Sequence, residues 1–373
     1  MLVLILILTG IHLLAWNSKA FTEWYRLHVF PIWTELLGRV SNLFSGSVGE
    51  ILIIIGIFLL VFELVLLPGF IWRFVKKRRS GSAAVMKHQR FWTKNVGFFC
   101  WVLTYIYATE TLNCYILYHA PTVEEQYYSD AGEYGTQELL HAYTEVVTRA
   151  NELSKRVKRD ADGKAVYGGS DQALYEECKK AMRAQGMTYP YLAGYYPDPK
   201  PIRASDFMSQ QHLLGIYFPF TMEANYNTVM YPVNLPTTIC HEYSHLKGII
   251  LEDEANYFGF CACIESKEPY LQYSGYLSVL GYLSRQVQRS VPEDMRVDLI
   301  SADAQVIADD VFLTKEQWER VEEEAIFSTE MIDHATDVFL EKNLTMNGVE
   351  AGIQSYSQVV RLVIDYYENG SFS

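Results

Sequence analysis

Cysteine is scarce in this chain. Six cysteines in 373 residues, unevenly placed, exclude a disulfide framework as the source of stability. Positive charge is also short, with 31 Lys and Arg against 44 Asp and Glu and a net charge of −13. That sign excludes nucleic acid as a partner, because a phosphate-binding surface needs concentrated Lys and Arg. There is no internal repeat and no low-complexity tract, which argues against a solenoid and against a mainly disordered chain.

Half of the residues are hydrophobic, and they are not spread evenly. Residues 1–113 hold 11 Lys and Arg against 5 Asp and Glu, leaving 20 against 39 for residues 114–373. An acidic body therefore follows a basic, apolar anchor. Three apolar stretches in the anchor, about 1–16, 51–74 and 91–110, read as membrane spans. The middle one carries a single charge, Glu63, from Ile51 to Trp72. The first resembles a signal-peptide core in length, but it lacks a basic start and a small-residue cleavage site, so it is expected to stay as a span. Glu63 and Glu110 are expected to face helix seams or the interface rather than to form an ion pathway.

Lys76, Lys77, Arg78, Arg79, Lys87 and Arg90 concentrate in and beside the loop 75–90. Short basic loops stay in the cytoplasm, so this pattern predicts a multi-pass protein of the plasma membrane with residues 114–373 extracytoplasmic. Segment 17–50 would then also lie outside, and its Trp and Phe residues are of the kind that settle at the headgroup boundary.

Beyond the anchor, helical periodicity predicts one helix from Gly135 to about Lys158 and another from about Gln172 to Ala184, capped by Ser170 or Asp171. The Tyr/Pro/Gly segment from Gly186 reads as loop. Residues 215–236 are β-branched and aromatic, predicting one or two short strands. A long helical pattern covers Glu316 to Lys342, and an amphipathic helix ends at Gly370. The fold class is therefore mainly α: transmembrane helices, then a mostly helical α+β domain with a small sheet. Cys261 and Cys263 lack zinc-knuckle spacing and read as small apolar residues in a packed helix.

At His241 the chain reads HEYSH, within a helix expected at about 236–247. Residues four apart share a helix face, so His241 and His245 can offer two imidazoles to one zinc ion (Zn2+), with Glu242 beside them as general base. Zinc with three protein ligands keeps a position for water and lowers its pKa toward about 7. Gly248 can end the helix, and EDEANYFGF follows with two candidate third ligands. If the next helix has begun by Glu252, then Glu252 and Asn256 share a face and Glu254 points some 200° away. In that case Glu252 is the ligand and Asn256 supports it through a hydrogen bond. If the segment is still extended, Glu254 reaches instead.

The charges from Glu242 to Glu254 do not belong in hydrocarbon, which excludes a site inside the bilayer. Glu223, Asn225 and Asn227 are candidates for the edge of a substrate cleft. Tyr273 and Tyr276 are candidates to donate a phenolic hydrogen bond to an oxyanion.

PFTMEANYN, HEYSH, EDEANYFGF, YSGYL at 273–277 and AGIQSYSQVVRLV together resemble an uncharacterised bacterial domain-of-unknown-function family of three-span membrane proteins, over essentially the whole chain. The resemblance implies a zincin-like metallopeptidase fold with no established substrate. Glu252-x-x-Ala255-Asn256 is also similar to the ExxAN helix of gluzincin peptidases, where the first Glu binds the metal. Only six residues separate His245 from Glu252, shorter than is usual there and closer to the metzincin arrangement, which keeps Glu254 in contention. The expected activity is zinc-dependent hydrolysis of peptides or proteins at a lipid bilayer. The alternative is a zincin-fold sensor or scaffold that binds metal or peptide without turnover.

Overall fold

The computed structural model describes residues 1–77, 84–128, 133–347 and 353–369. Helix α1 (Leu2–Asn17) ends at Ser18, whose side chain caps α2 (Lys19–His28) by accepting from Phe21 N. Helix α3 (Phe30–Trp33), a π-helical turn (Thr34–Gly38) and α4 (Arg39–Ser41) continue the same course, so that Lys19–Ser41 runs at 114° to α1. Two long helices follow, α5 (Val48–Lys77) and α6 (Ala84–Glu110).

Among the described residues one helical stretch, Val48–Gly69, is by itself long and apolar enough to cross a membrane, and none of its apolar window is buried in the protein. The bent pair of Leu2–Asn17 and Lys19–Ser41 would make a second candidate. Helix α6, interrupted by Lys94, Asn95 and Glu110, does not reach that apolarity. Its Asn95 donates to Glu63 Oε2 at 2.7 Å, placing Glu63 at the seam of α5 and α6. Within the expected basic loop, residues 78–83, with Arg78 and Arg79, lie outside the described residues.

The remainder is mainly helical: α7 (Val123–Tyr127), α8 (Thr136–Ser154), α9 (Asp171–Gln185), α10 (Ser205–Gln210), α11 (Leu235–His245), α12 (Glu252–Ile264) and α13 (Pro269–Ser290). Helices α14 (Glu293–Arg296), α15 (Ala304–Asp309), α16 (Lys315–Glu323), α17 (Thr329–Met346) and α18 (Ile353–Asn369) complete it. The expected helical pattern over 316–342 is in fact two helices. Three acids, Glu322–Glu324, oppose the dipole at the end of α16, and Ser328 Oγ accepts from Met331 N as a new start.

A three-stranded sheet has the order β1 (Lys200–Ile202), β3 (Glu223–Asn227), β2 (Gly215–Phe218). Strand β2 is antiparallel to β3, with Gly215 opposite Tyr226, and β1 is parallel to it, with Lys200 opposite Asn225. Strand β1 falls in the segment read as loop. It is three residues long with Pro201 at its centre, which only an edge strand tolerates.

The sheet lies on α11, and α11, α12 and α13 pack together with α8, α9 and α18 around them. Gly259 lets α12 cross close to α11, since a Cβ there would stand 3.1 Å from Thr237 O. All six cysteines are free thiols, and Cys178, Cys240, Cys261 and Cys263 are buried as small core residues. Part of the first 50 residues also joins this core: Tyr25, Arg26 and Phe30 are buried, and Thr34 Oγ1 donates to Leu246 O at 2.8 Å.

Candidate metal centre

Two histidines one helical turn apart on α11 face the same way. Their rings stand nearly perpendicular, at 88°, with centroids 4.7 Å apart and Nε2 atoms 3.1 Å apart. Each ring is fixed from behind. His241 Nδ1 lies 2.9 Å from Asn256 Oδ1 and His245 Nδ1 lies 2.6 Å from Ile249 O. An oxygen acceptor at Nδ1 requires the proton there, so both Nε2 atoms present lone pairs to the same point. Two lone pairs at 3.1 Å repel unless a cation, a proton or a metal ion, sits between them.

Glu252, the first residue of α12, closes the group from the solvent side, with its side chain 61% exposed. Its Oε2 is 3.1 Å from His241 Nε2 and its Oε1 is 3.7 Å from His245 Nε2. The ligand atoms of the three residues all lie within 4.8 Å of one another. The turn that permits this hinges on Gly248, whose φ of +82° reverses the chain after α11, and Ile249 N bonds back to Ser244 O. The donor set, two neutral imidazole nitrogens and one carboxylate, fits zinc.

Electrostatics match the geometry. Packing against the rings costs Glu252 some solvation, yet His245 and His241 outweigh this and hold it down to about 2. Burial disfavours charge on His241, but the carboxylate of Glu252 raises it to about 9. Burial takes His245 down to about 4. Without a metal, the one additional proton between the two Nε2 atoms therefore resides on His241.

Glu242 is buried, and burial pushes it up to about 8, with His241 drawing it down and Glu252 adding to the rise. Its Oε2 has no hydrogen-bond partner. Above it runs β2, where a Cβ on Gly215 would collide with the Glu242 side chain and with Asn225 O. Gly215 is thus part of the site, as is Tyr217, whose ring lies 5.9 Å from that of His245. Tyr118, just after α6, also senses the site: burial raises its hydroxyl, with Cys114 and then Glu252 adding to the rise.

Other candidates are placed elsewhere. Glu254 is turned away because α12 has already begun at Glu252, and its Oε1 accepts from Val123 N at 2.6 Å in a buried setting. Tyr273 is fully buried and donates to Asp309 Oδ2 at 2.8 Å, beside Tyr231 and Arg159 on the same carboxylate, so no hydroxyl is left for an oxyanion. Glu223 is buried against Lys200 Nζ at 2.5 Å and accepts from Val48 N and Gly49 N, at the start of α5. Asn227 is occupied by Ser209, Leu213 and Val229. Asn225 Nδ2 donates to Ile216 O across the sheet at 3.2 Å, and its buried Oδ1 has no partner. All three are buried in β3.

Gly215 had a signal in sequence, a glycine opening the alternating run IYF. Ile249 had none, since it acts through a backbone carbonyl.

No curated protein and no solved structure matches the chain. A family model does, over residues 25–364, a span that takes in most of Lys19–Ser41, the apolar helix α5 and the His241–His245–Glu252 cluster: the chain belongs to the family described as a protein of unknown function (DUF3810).

Proposed function

We propose that this chain is a membrane-anchored zinc-dependent metallopeptidase with a zincin-like domain. The observation that carries the reading is the convergence of His241 Nε2, His245 Nε2 and the Glu252 carboxylate, each imidazole locked by an oxygen at Nδ1, beside the buried and unpartnered Glu242 Oε2. His241, His245 and Glu252 would hold the zinc ion, and Asn256 and the Ile249 carbonyl would keep the rings in register. When bound, the ion supplies Lewis acidity that polarises a substrate carbonyl and acidifies a water molecule.

Glu242 takes a proton from the attacking water and returns it to the leaving amine. Its burial suits it to both steps, since a carboxyl at about 8 in the metal-free chain is brought into the range of a general base by a neighbouring dication. Strand β2 is a sheet edge over Glu242, so an extended peptide can pair with it and bring a carbonyl to the centre.

The anchor in this reading is α5, whose apolar side chains are largely exposed from Ile51 to Leu67, and three spans, with α1 and α6 crossing as well, would put the basic loop in the cytoplasm and the domain outside. The test is metal content and hydrolysis in the same preparations. Wild type is expected to hold about one zinc, His245→Ala and Glu252→Gln to lose it, and Glu254→Gln to keep it. Glu242→Gln is expected to keep zinc and lose peptide hydrolysis by at least about a hundredfold. Full activity in Glu242→Gln would overturn the mechanism. Metal retained in a wild type with no turnover of any unfolded protein would assign the sensor or scaffold role instead.

A further inference from the structure

Segment Lys19–Ser41 carries two faces written in the same period. Thr22, Arg26, Phe30, Thr34 and Gly38 follow every four residues and all are buried. Trp24, Ile32, Leu36 and Val40, continued by Phe44 just beyond the segment, hold the opposite face, each more than half exposed, and the exposed His28 interrupts this apolar series. A four-residue step drifts 40° per turn on an ideal α-helix, and the π-helical turn at Thr34–Gly38, being wider, reduces that drift so that both stripes stay aligned. The inner stripe is attached to the metal-site helix. Thr34 Oγ1 donates to Leu246 O one residue after His245, and Gly248 packs against Arg26 and Phe30. The outer stripe leaves more than half of each side chain open, and the ring contacts of Trp24 among the described residues are with Phe21 and His28 of its own helix.

We infer that this outer stripe lies in the plane of the bilayer, shallowly inserted, and seats the back of the metal-site helix on the lipid surface. The inference rests on the membrane reading above. Three observations favour lipid as the occupant. The segment turns through 114° from α1, so an α1 along the membrane normal puts it nearly in the membrane plane. It leads within a few residues into α5, whose apolar side chains are bare from Ile51 onward, so the two exposed surfaces are continuous. The stripe is one side chain wide and roughly 30 Å long, a shape suited to insertion between headgroups but far from the ~800 Å² per partner of a stable protein interface. The exposed Glu35–Arg39 pair flanks it, at 2.6 Å, where charged tips reach the headgroups.

The test uses the full chain in phosphatidylcholine/phosphatidylglycerol vesicles, with nitroxide labels on single variants Ile32→Cys, Leu36→Cys and Val40→Cys, and Phe58→Cys and Lys164→Cys as references. The native cysteines are buried or half-buried, which favours labelling at the new sites. Power saturation is expected to give all three labels similar depths of about 5–10 Å, with oxygen contacting them more than a nickel chelate does, Phe58→Cys deep and Lys164→Cys aqueous. Water-accessible labels at 32, 36 and 40 with a deep Phe58→Cys would overturn the in-plane seat and leave the anchor intact. A water-accessible Phe58→Cys would overturn the anchor as well. Depth rising steadily from 32 to 40 would mean a crossing segment, and spin–spin broadening at Leu36→Cys would mean a second copy, and each overturns the proposal.

Discussion

His241, His245 and Glu242 were legible in the sequence because an i, i+4 pair needs nothing beyond helical geometry to converge. The choice of candidate third ligand depended on one fact that spacing does not contain, where α12 begins. Its start at Glu252 sends Glu254 to Val123 and leaves Glu252 facing the imidazoles. Tyr273 was misread for a related reason, since nothing local shows that the Asp309 carboxylate waits for it 36 residues on. The arrangement makes a prediction in protons. At pH 7 the metal-free chain holds a proton on His241, raised to about 9, and on Glu242, raised to about 8. A dication takes the first site outright and lowers the pKa of the second. Zinc binding at pH 7 is therefore expected to release between about one and two protons, a number that falls as the pH passes 9 because both groups have then already lost theirs. Calorimetry in buffers of different ionisation enthalpy measures the count, and Glu242→Gln is expected to lower it. A count of zero at pH 7 would contradict the assignment of the proton to the site.

Elements met expectation where an apolar period ran unbroken, while the long pattern over 316–342 is split into α16 and α17. Helices α8 and α9 follow their apolar periodicity, and Ser170 caps α9 as its position suggested. Strand β1 escaped because three residues around a proline show no alternation, and its partner β3 is 23 residues away. The role of Glu223 escaped with it. Its carboxylate sits on Val48 N and Gly49 N, two of the orphan donors at the start of α5, and takes Lys200 of β1 as counter-charge. One buried ion pair thus ties the apolar helix to the sheet that covers Glu242. Glu223→Ala leaves the Lys200 ammonium buried and those amides uncapped, at a cost of about 3–5 kcal/mol. Thermal unfolding in detergent is expected to show that loss. Adding Lys200→Met should recover part of it, because the double variant buries no unpaired charge. Equal stability of Glu223→Ala and wild type would show that the clasp does not hold the helix.

At the scale of the molecule, charge and hydropathy divide the chain near residue 113, while packing does not. The acidic body and the apolar anchor are legible as composition, but the first 50 residues supply Tyr25 and Phe30 to the core, Thr34 to the end of the metal-site helix and two capped amides to Glu223. Composition could not show this, because the stripe of Thr22, Arg26, Phe30, Thr34 and Gly38 is polar, small and apolar by turns, and its burial depends on what it meets. A chain beginning at residue 114 would forfeit all of these contacts at once. Losing a buried Phe of the Phe30 kind costs about 3–5 kcal/mol, and the burial of Tyr25 and the Thr34 hydrogen bond go with it, against a total stability of about 5–15 kcal/mol for a typical domain. The fragment 114–373 is therefore expected to lose its cooperative unfolding transition and its near-ultraviolet dichroism, while the whole chain in detergent keeps both. A fragment that unfolds as sharply as the whole chain and binds zinc with the same affinity would show that residues 1–113 only tether the centre. The buried stripe requires instead that the segment Lys19–Ser41 be a wall of it.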